Sequence, residues 1–380
     1  MFVNKKYQKE ISKINSLPIL ALGANAHNGL DWVHSLIDGH AEVGILPAFS
    51  FFRFTVREKI NQNMFDNKKK LILRIGNILY KNKSYNVPRR KFFSNYKEKK
   101  IFENYLKIYL TIEKKISFRS LFFAIHLAYF KIKKENIMSK KIIVSHEHMC
   151  WNHHKYSIFK NVRFCFVIRD PRAAFAGSIL QMKKVNKYFF LESSAMNKIL
   201  LNYITGWKFI KREKLNNPSN IFFLINEKMN KDLKNEMIKF CEWSKINFKT
   251  SMLKSTFNKK PWKGESSYLM KKKIDLNKKA PKNFYNLKKV KKRWMSILNP
   301  QEIQIIEAFS CDYMKVFGYK KIYVKKFYQI YINKFFILFF YILPKINKDK
   351  NFLYQLIKNM IKRLLILILP LKSLNILSIK

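Results

Sequence analysis

Apolar and polar positions along the 380-residue chain alternate between short apolar runs closed by polar residues and longer stretches of helical period. Val162 to Ile168 is apolar and aromatic except for Arg163, with the length and β-rich composition of a buried strand. Arg169-Asp170-Pro171 closes it. Pro171 suits the first turn of a helix, where its missing N–H has no partner to lose. Arg172 to Met182, with Ala173, Ala174, Ala176 and Leu180, then continues as helix. A charged residue at the carboxyl end of a buried strand, just before a helix, is where open α/β sheets bind ligands. The plainer reading is an arginine that merely follows a core strand.

A second stretch has the same build. Ser16 to Leu22 reads as a strand and Gly23-Ala24-Asn25-Ala26-His27-Asn28-Gly29 as a loop of small and polar residues. Leu30 to Asp38 reads as a helix with Trp32, Val33, Leu36 and Ile37 on one face. A strand, a glycine-bearing loop and a helix can cradle a phosphate through N-terminal amides and the helix dipole. The triphosphatase pattern GxxxxGK[ST] is not met, because the glycines are one position too far apart and no Lys and Ser/Thr follow Gly29.

Further strands are predicted at Ala41–Pro47, at Lys141–Val144, which ends at Ser145-His146-Glu147-His148, and at Asn220–Ile225. Pairing the second of these with Val162–Ile168 would bring Ser145 to His148 and Arg169 to one carboxyl edge. Ala48 to Phe54, with four phenylalanines, reads as an apolar turn over the core or as the wall of an acceptor pocket. Residues 55–136 read as amphipathic helices with long basic faces, clearest at Leu71–Tyr80 and Ile116–Phe130. Helical period returns at Leu200–Glu213, Asn230–Trp243 and Trp294–Phe317. The expected fold is α/β, a parallel sheet with helices on both faces, over residues 16–320. A polar segment over 1–15 precedes it and a basic, apolar tail over 321–380 follows.

Composition changes this picture little. The formal charge of +52 would suit a polyanion, but Lys, Asn, Ile, Phe and Tyr are abundant together, as A/T-rich codons would make them. No zinc pattern, homeodomain-like helix or ribonucleoprotein motif accompanies the charge, so a nucleic-acid partner is not expected. Cysteines at 150, 165, 241 and 311 lack paired spacing and read as reduced thiols of a cytoplasmic protein. The N-terminus has no apolar run of a secretory signal. In the tail, Phe335–Leu343 and Leu364–Leu371 are apolar runs of nine and eight residues bracketed by basic residues. A spanning helix needs about 20, so they read as anchors at an anionic membrane face or as helices packed back on the domain.

Arg169-Asp170-Pro171-Arg172 after an apolar strand joins two further stretches, Asn28-Gly29-Leu30-Asp31-Trp32 and Leu36-Ile37-Asp38-Gly39-His40 followed by Pro47. Together they resemble the phosphosulfate-binding elements of sulfotransferases that use 3'-phosphoadenylyl sulfate (PAPS). The resemblance runs from about Ile19 to Trp262, and Thr256 to Gly264 is similar to a segment near the cofactor in bacterial members. It implies a P-loop-like sulfotransferase fold and transfer of a sulfuryl group from PAPS to a hydroxyl of a glycan or lipid-linked acceptor. By the same resemblance Gly23 to Gly29, with Leu30 and Asp31, surround the 5'-phosphosulfate. Arg169 clamps the 3'-phosphate and Trp262 stacks on adenine, unless that tryptophan is core.

Two departures from the family pattern stand out. Relatives carry Lys or Arg in the loop and Ser/Thr after the glycine, where this chain has His27, Asn28, Leu30 and Asp31. The serine eight residues beyond the clamping arginine is Gly177 here, with Ser178 beside it as a substitute. An imidazole at position 27 is charged at neutral pH only if its pKa is raised. An inactive, nucleotide-binding relative is therefore the alternative, and a membrane-associated scaffold a third reading.

For the proton acceptor the resemblance points to His146, at the end of a strand, and His148 shares its side of an extended segment. His27 is the other catalytic candidate. With His153 and His154 the stretch is rich enough in histidine to suggest zinc, yet it holds no HExxH and no cysteine paired with Cys150. An ordinary polar loop is the third reading, and no resident metal is expected.

Overall fold

A computed structural model describes residues 2–81, 91–113, 115–148, 150–185, 193–216, 219–262 and 293–323. The lysine-rich stretch 263–292 and both apolar runs of the tail lie outside the described residues.

Helix α1 (Phe2–Ser16) leads into β1 (Ile19–Ala24), α2 (Leu30–Ile37), β2 (Val43–Ile45) and α3 (Phe51–Arg57). A helical block follows, α4 (Lys68–Lys81), α5 (Tyr96–Ile112) and α6 (Phe118–Ile132), then β3 (Ile142–Glu147), β4 (Val162–Ile168) and α7 (Pro171–Val185). After α8 (Ser193–Asn216) come β5 (Ile221–Ile225), α9 (Asn226–Lys231), α10 (Leu233–Ser244), the short strands β6 (Thr256–Phe257) and β7 (Lys260–Pro261), and α11 (Pro300–Phe317).

Strands β1 to β5 form one parallel sheet in the order β2-β3-β1-β4-β5. Strands covered on both faces read as unbroken apolar runs, and side-chain alternation distributes them. Leu20, Leu22, Ala24, Cys165 and Val167 pack with α2 and α10. Ile19 and Ala21 pack on the opposite face with α4 to α6, and Phe166 and Ile168 with α7, α8 and α11. The expected α/β architecture is what the chain adopts. Its path leaves β1 toward β2 and leaves β4 toward β5, so α2 and α7 cover opposite faces. The crevice at the carboxyl ends of β1 and β4 is the topological switch point.

Two expectations are corrected. Strands β3 and β4 are not neighbours, because β1 lies between them, with Leu22 facing His146 on one side and Cys165 on the other. β1 is buried along its whole length, as a central strand must be. The second correction is that Ser145, His146 and Glu147 continue β3 instead of forming the loop after it. These polar residues are buried with partners: Tyr156 donates to Ser145 Oγ at 2.8 Å and Ser50 to Glu147 Oε2 at 3.1 Å.

The polar N-terminal segment is helix α1, which buries Ile14 completely and lodges Glu10 against the hydroxyl of Tyr109 at 2.6 Å. Phe49, Phe51, Phe52 and Phe54 are core residues. No helix among the described residues is long and apolar enough to cross a membrane.

Candidate functional site

Between Ala24 and Leu30 the chain turns around three carbonyls, each held by a side chain from a different element. Tyr203 of α8 donates to Ala26 O at 2.6 Å, Arg169 Nη1 to His27 O at 2.9 Å, and Asn226 Nδ2 of α9 to Asn28 O at 3.0 Å. No described peptide bond is cis, and a trans peptide sets its N–H opposite its C=O. The amides of His27, Asn28 and Gly29 therefore point away from the three donors. That of Asn28 is used within the turn, on Asn25 O at 3.3 Å. Asn28 Nδ2 ties the loop to Val167 O of β4 at 2.9 Å. Gly29 is required on two counts: its φ is +102°, and a Cβ there would meet Asn226 Nδ2 at 2.4 Å.

Helix α7 backs this loop. Tyr203 has one proton and gives it to Ala26 O, so Ser178 Oγ, 2.9 Å from the phenol oxygen, is the donor of that pair. Ser178 is buried behind the loop, and its hydroxyl supports Tyr203. Gly177 faces the ring of His27, which adopts φ +59°. Burial against α7 and the charge of Arg169 push the His27 pKa down to about 4, against a weaker upward pull from the Gln181 side chain and Asp31. His27 is thus neutral at pH 7 and supplies no cation to the loop.

Arg169 leaves the end of β4 toward the same loop. Burial lowers its pKa, and Glu227, Tyr203 and Asp170 hold it up. Its buried Nε has no hydrogen-bond partner among the described residues. Glu227, raised by burial, accepts the Asp170 N–H at 3.0 Å and the Tyr319 hydroxyl at 2.8 Å. Asp170 caps α7 by accepting the Arg172 N–H at 2.9 Å. Arg172 turns away from the crevice: it grips Asp170 with Nε and Nη2, gives Nη1 to Glu307 Oε1 at 2.6 Å, and lies over the Trp294 ring at 4.4 Å.

At the end of β3 stands a row of imidazoles. The Ala48 N–H donates to His34 Nε2 at 3.3 Å, which places the His34 proton on Nδ1. That proton faces His146 Nδ1 at 3.2 Å, so the His146 proton sits on Nε2. His146 Nε2 in turn faces His148 Nε2 at 3.0 Å and Asp31 Oδ1 at 3.6 Å. These tautomers are assigned from the hydrogen bonds. His146 and His34 are buried, whereas His148 and Asp31 are partly exposed.

Of the residues singled out by sequence, the structure brings Gly23 to Asp31, Arg169, Ser178, His146 and His148 to the carboxyl edge of β1, β3 and β4. Trp262 is buried edge-on against Phe257 in the core beneath α2. Leu30 is also a core residue. Tyr203, Asn226, Glu227 and His34 escaped sequence reasoning. Asn226 carried a usable signal, since it directly follows an apolar strand, as Arg169 does.

No protein-family model and no curated protein sequence matches the chain. Among solved structures it is similar to the sulfotransferase domain from the Synechococcus PCC 7002 olefin synthase, with TM-score 0.44 and 12% identity over 80% of this chain and 96% of that one. It is similar to the sulfotransferase domain from the curacin biosynthetic pathway, with TM-score 0.45 and 12% identity over 80% and 98%. Sulfotransferase STF9 from Mycobacterium avium gives TM-score 0.37 and 11% identity over 84% and 82%. The likeness is one of general α/β architecture, and at these values it assigns no activity.

Proposed function

We propose that the chain binds PAPS in the crevice between β1 and β4 and transfers its sulfuryl group to a hydroxyl of a glycan or lipid-linked acceptor. The observation that carries this is the loop Asn25–Gly29, whose carbonyls are drawn back by Tyr203, Arg169 and Asn226. The Nε of Arg169, which has no hydrogen-bond partner among the described residues, fits an anionic ligand. The His27 and Gly29 amides, with the α2 dipole, would hold the 5'-phosphosulfate, and Arg169 the 3'-phosphate. When bound, PAPS supplies an activated sulfuryl group on a phosphate leaving group.

The proton acceptor we assign is His148 rather than His146. The lone pair of His146 is on Nδ1 and turned to His34, whereas His148 stands at the partly exposed end of the row, and its Nε2, which accepts the His146 Nε2 proton in this structure, would take the acceptor's proton once that bond opens. Asp31 Oδ1, 3.6 Å from His146 Nε2, lies within 4.8 Å of a His148 ring nitrogen, near enough to stabilise the resulting imidazolium.

A second reading, a sulfotransferase-like protein that binds the nucleotide without turnover, is favoured by the neutral His27. Titration with 3'-phosphoadenosine 5'-phosphate, followed by transfer of labelled sulfate to a panel of glycan and lipid-linked acceptors, separates the two. Binding with transfer supports the enzyme, binding alone supports the second reading, and no binding by folded protein sinks both. For the tail we propose attachment to an anionic membrane face, to be tested by co-sedimentation of the full chain with anionic vesicles.

A further inference from the structure

We propose that Asp31, His146 and His148 form a binding site for one divalent cation of the zinc class. One ligand atom from each lies within 4.8 Å of the other two. His146 Nε2 is 3.0 Å from His148 Nε2 and 3.6 Å from Asp31 Oδ1. A tetrahedral cation with bonds of about 2.0–2.1 Å keeps its ligand atoms roughly 3.3–3.4 Å apart, and the two distances bracket that spacing. Two imidazole nitrogens and one carboxylate oxygen select zinc and its neighbours over magnesium or calcium, which take oxygen ligands. Three protein ligands leave a fourth position open. It opens through Asp31, whose side chain is 31% exposed while that of His146 is 1% exposed.

The surroundings supply the second sphere that metal-bound imidazoles use. With Nε2 on the cation, His146 carries its proton on Nδ1 and donates it to His34 Nδ1, 3.2 Å away. His34 then holds its own proton on Nε2 and releases the 3.3 Å bond from Ala48. Each ring keeps one proton and moves it to its other nitrogen, so the exchange balances. The His34 ring is stacked on Phe257 at 14°.

The site has a consequence for the crevice. Asp31 is the second residue of α2, so a cation there puts positive charge beside a loop in which His27 supplies none. That link rests on the function proposed above, whereas the site itself does not. Cation and acceptor proton compete for the same His148 nitrogen, so the loaded form would hold the nucleotide without taking the proton.

The test is zinc titration of the full-length protein, its affinity tag removed, against a chromogenic chelator. Visible absorption with Co²⁺ reports the coordination. We expect one zinc per chain, with affinity reduced roughly tenfold or more by Asp31→Asn and by His148→Ala and 10–100-fold by His34→Phe. All three variants are checked for folding by circular dichroism. No zinc bound by the wild-type chain, or equal binding by the Asp31 and His148 variants, overturns the site. Nucleotide binding in excess chelator by a protein that takes no zinc leaves the function reading standing and removes this one. Zinc uptake without nucleotide binding does the reverse.

Discussion

Gly177 and the imidazole of His27 fit against each other: a Cβ at Gly177 would stand 3.1 Å from His27 Cβ and 3.3 Å from its Nδ1. The residues at positions 27 and 177 are therefore coupled. A serine at 177 would crowd the ring at 27, and the bare α carbon lets that ring lie on α7, where burial keeps it neutral.

The pair should behave non-additively. Gly177→Ser alone is expected to cost about 1–3 kcal/mol through overpacking. In a His27→Ala background the same change should cost much less, for a coupling of about 0.5–3 kcal/mol. Urea unfolding of the four proteins measures it, and additive losses would show that the contact is slack.

Arg169 reaches the loop carbonyl with Nη1 and keeps Nε without a partner among the described residues. Arg169→Ala should weaken binding of 3'-phosphoadenosine 5'-phosphate by about 1.5–3 kcal/mol, as expected for a charge-assisted bond. The analogue lacking the 3'-phosphate should lose far less. Calorimetric titration of both nucleotides decides, since equal losses would leave the arginine only its hold on His27 O.

Arg172 has a different task, although it belongs to the same sequence element. Its guanidinium joins Asp170 at the start of α7 to Glu307 of α11, and Glu307 also accepts the N–H groups of Ile322 and Tyr323 at 2.9 and 3.0 Å. Arg172→Met should destabilise the fold by about 3–5 kcal/mol, because it removes the cation shared by the buried Glu307 and the partly buried Asp170. Arg172→Lys should recover part of the loss, keeping the charge without the planar fork. Denaturation midpoints at constant slope measure both.

How much of this was legible depends on whether the cause was local. β4 and the start of α7 follow from an apolar run and Pro171, features that lie together in the chain. β3 read too short because His146 and Glu147 are polar, and only the tertiary partners Ser50 and His34 reveal that they are buried. α1 read as a polar segment because it buries one narrow stripe around Ile14 and leaves its lysines in solvent. In the site, Gly23–Gly29 and Arg169 form contiguous patterns. Tyr203 sits mid-helix and acquires its role only when α8 is laid behind the loop, so no linear pattern marks it.

The last expectation concerns acid, where two partly buried groups act in opposite directions. Burial raises the Asp38 pKa to about 6, despite hydrogen bonds from Thr256 Oγ1 and the Lys259 N–H, each at 2.9 Å. Between its ordinary value near 3.8 and 6 the folded chain holds a proton that the unfolded chain has lost, so this group makes stability rise as pH falls. His27, at about 4 folded against 6.5 unfolded, does the reverse: the unfolded chain takes up the proton first, and stability falls as pH drops from 6.5 to 4. His40 and His126, both lowered by burial, add to the His27 slope. Each group is therefore read as a difference from wild type. Relative to it, Asp38→Asn should lose about 1–2 kcal/mol more stability on going from pH 6 to 4, and His27→Gln about 1–2 kcal/mol less, the figures being reduced for partial exposure. Urea unfolding at half-unit steps from pH 4 to 7 gives both curves. Parallel curves for a variant and the wild type would show that the replaced side chain titrates in the folded protein as it does in the unfolded chain, and that its burial does not control its charge.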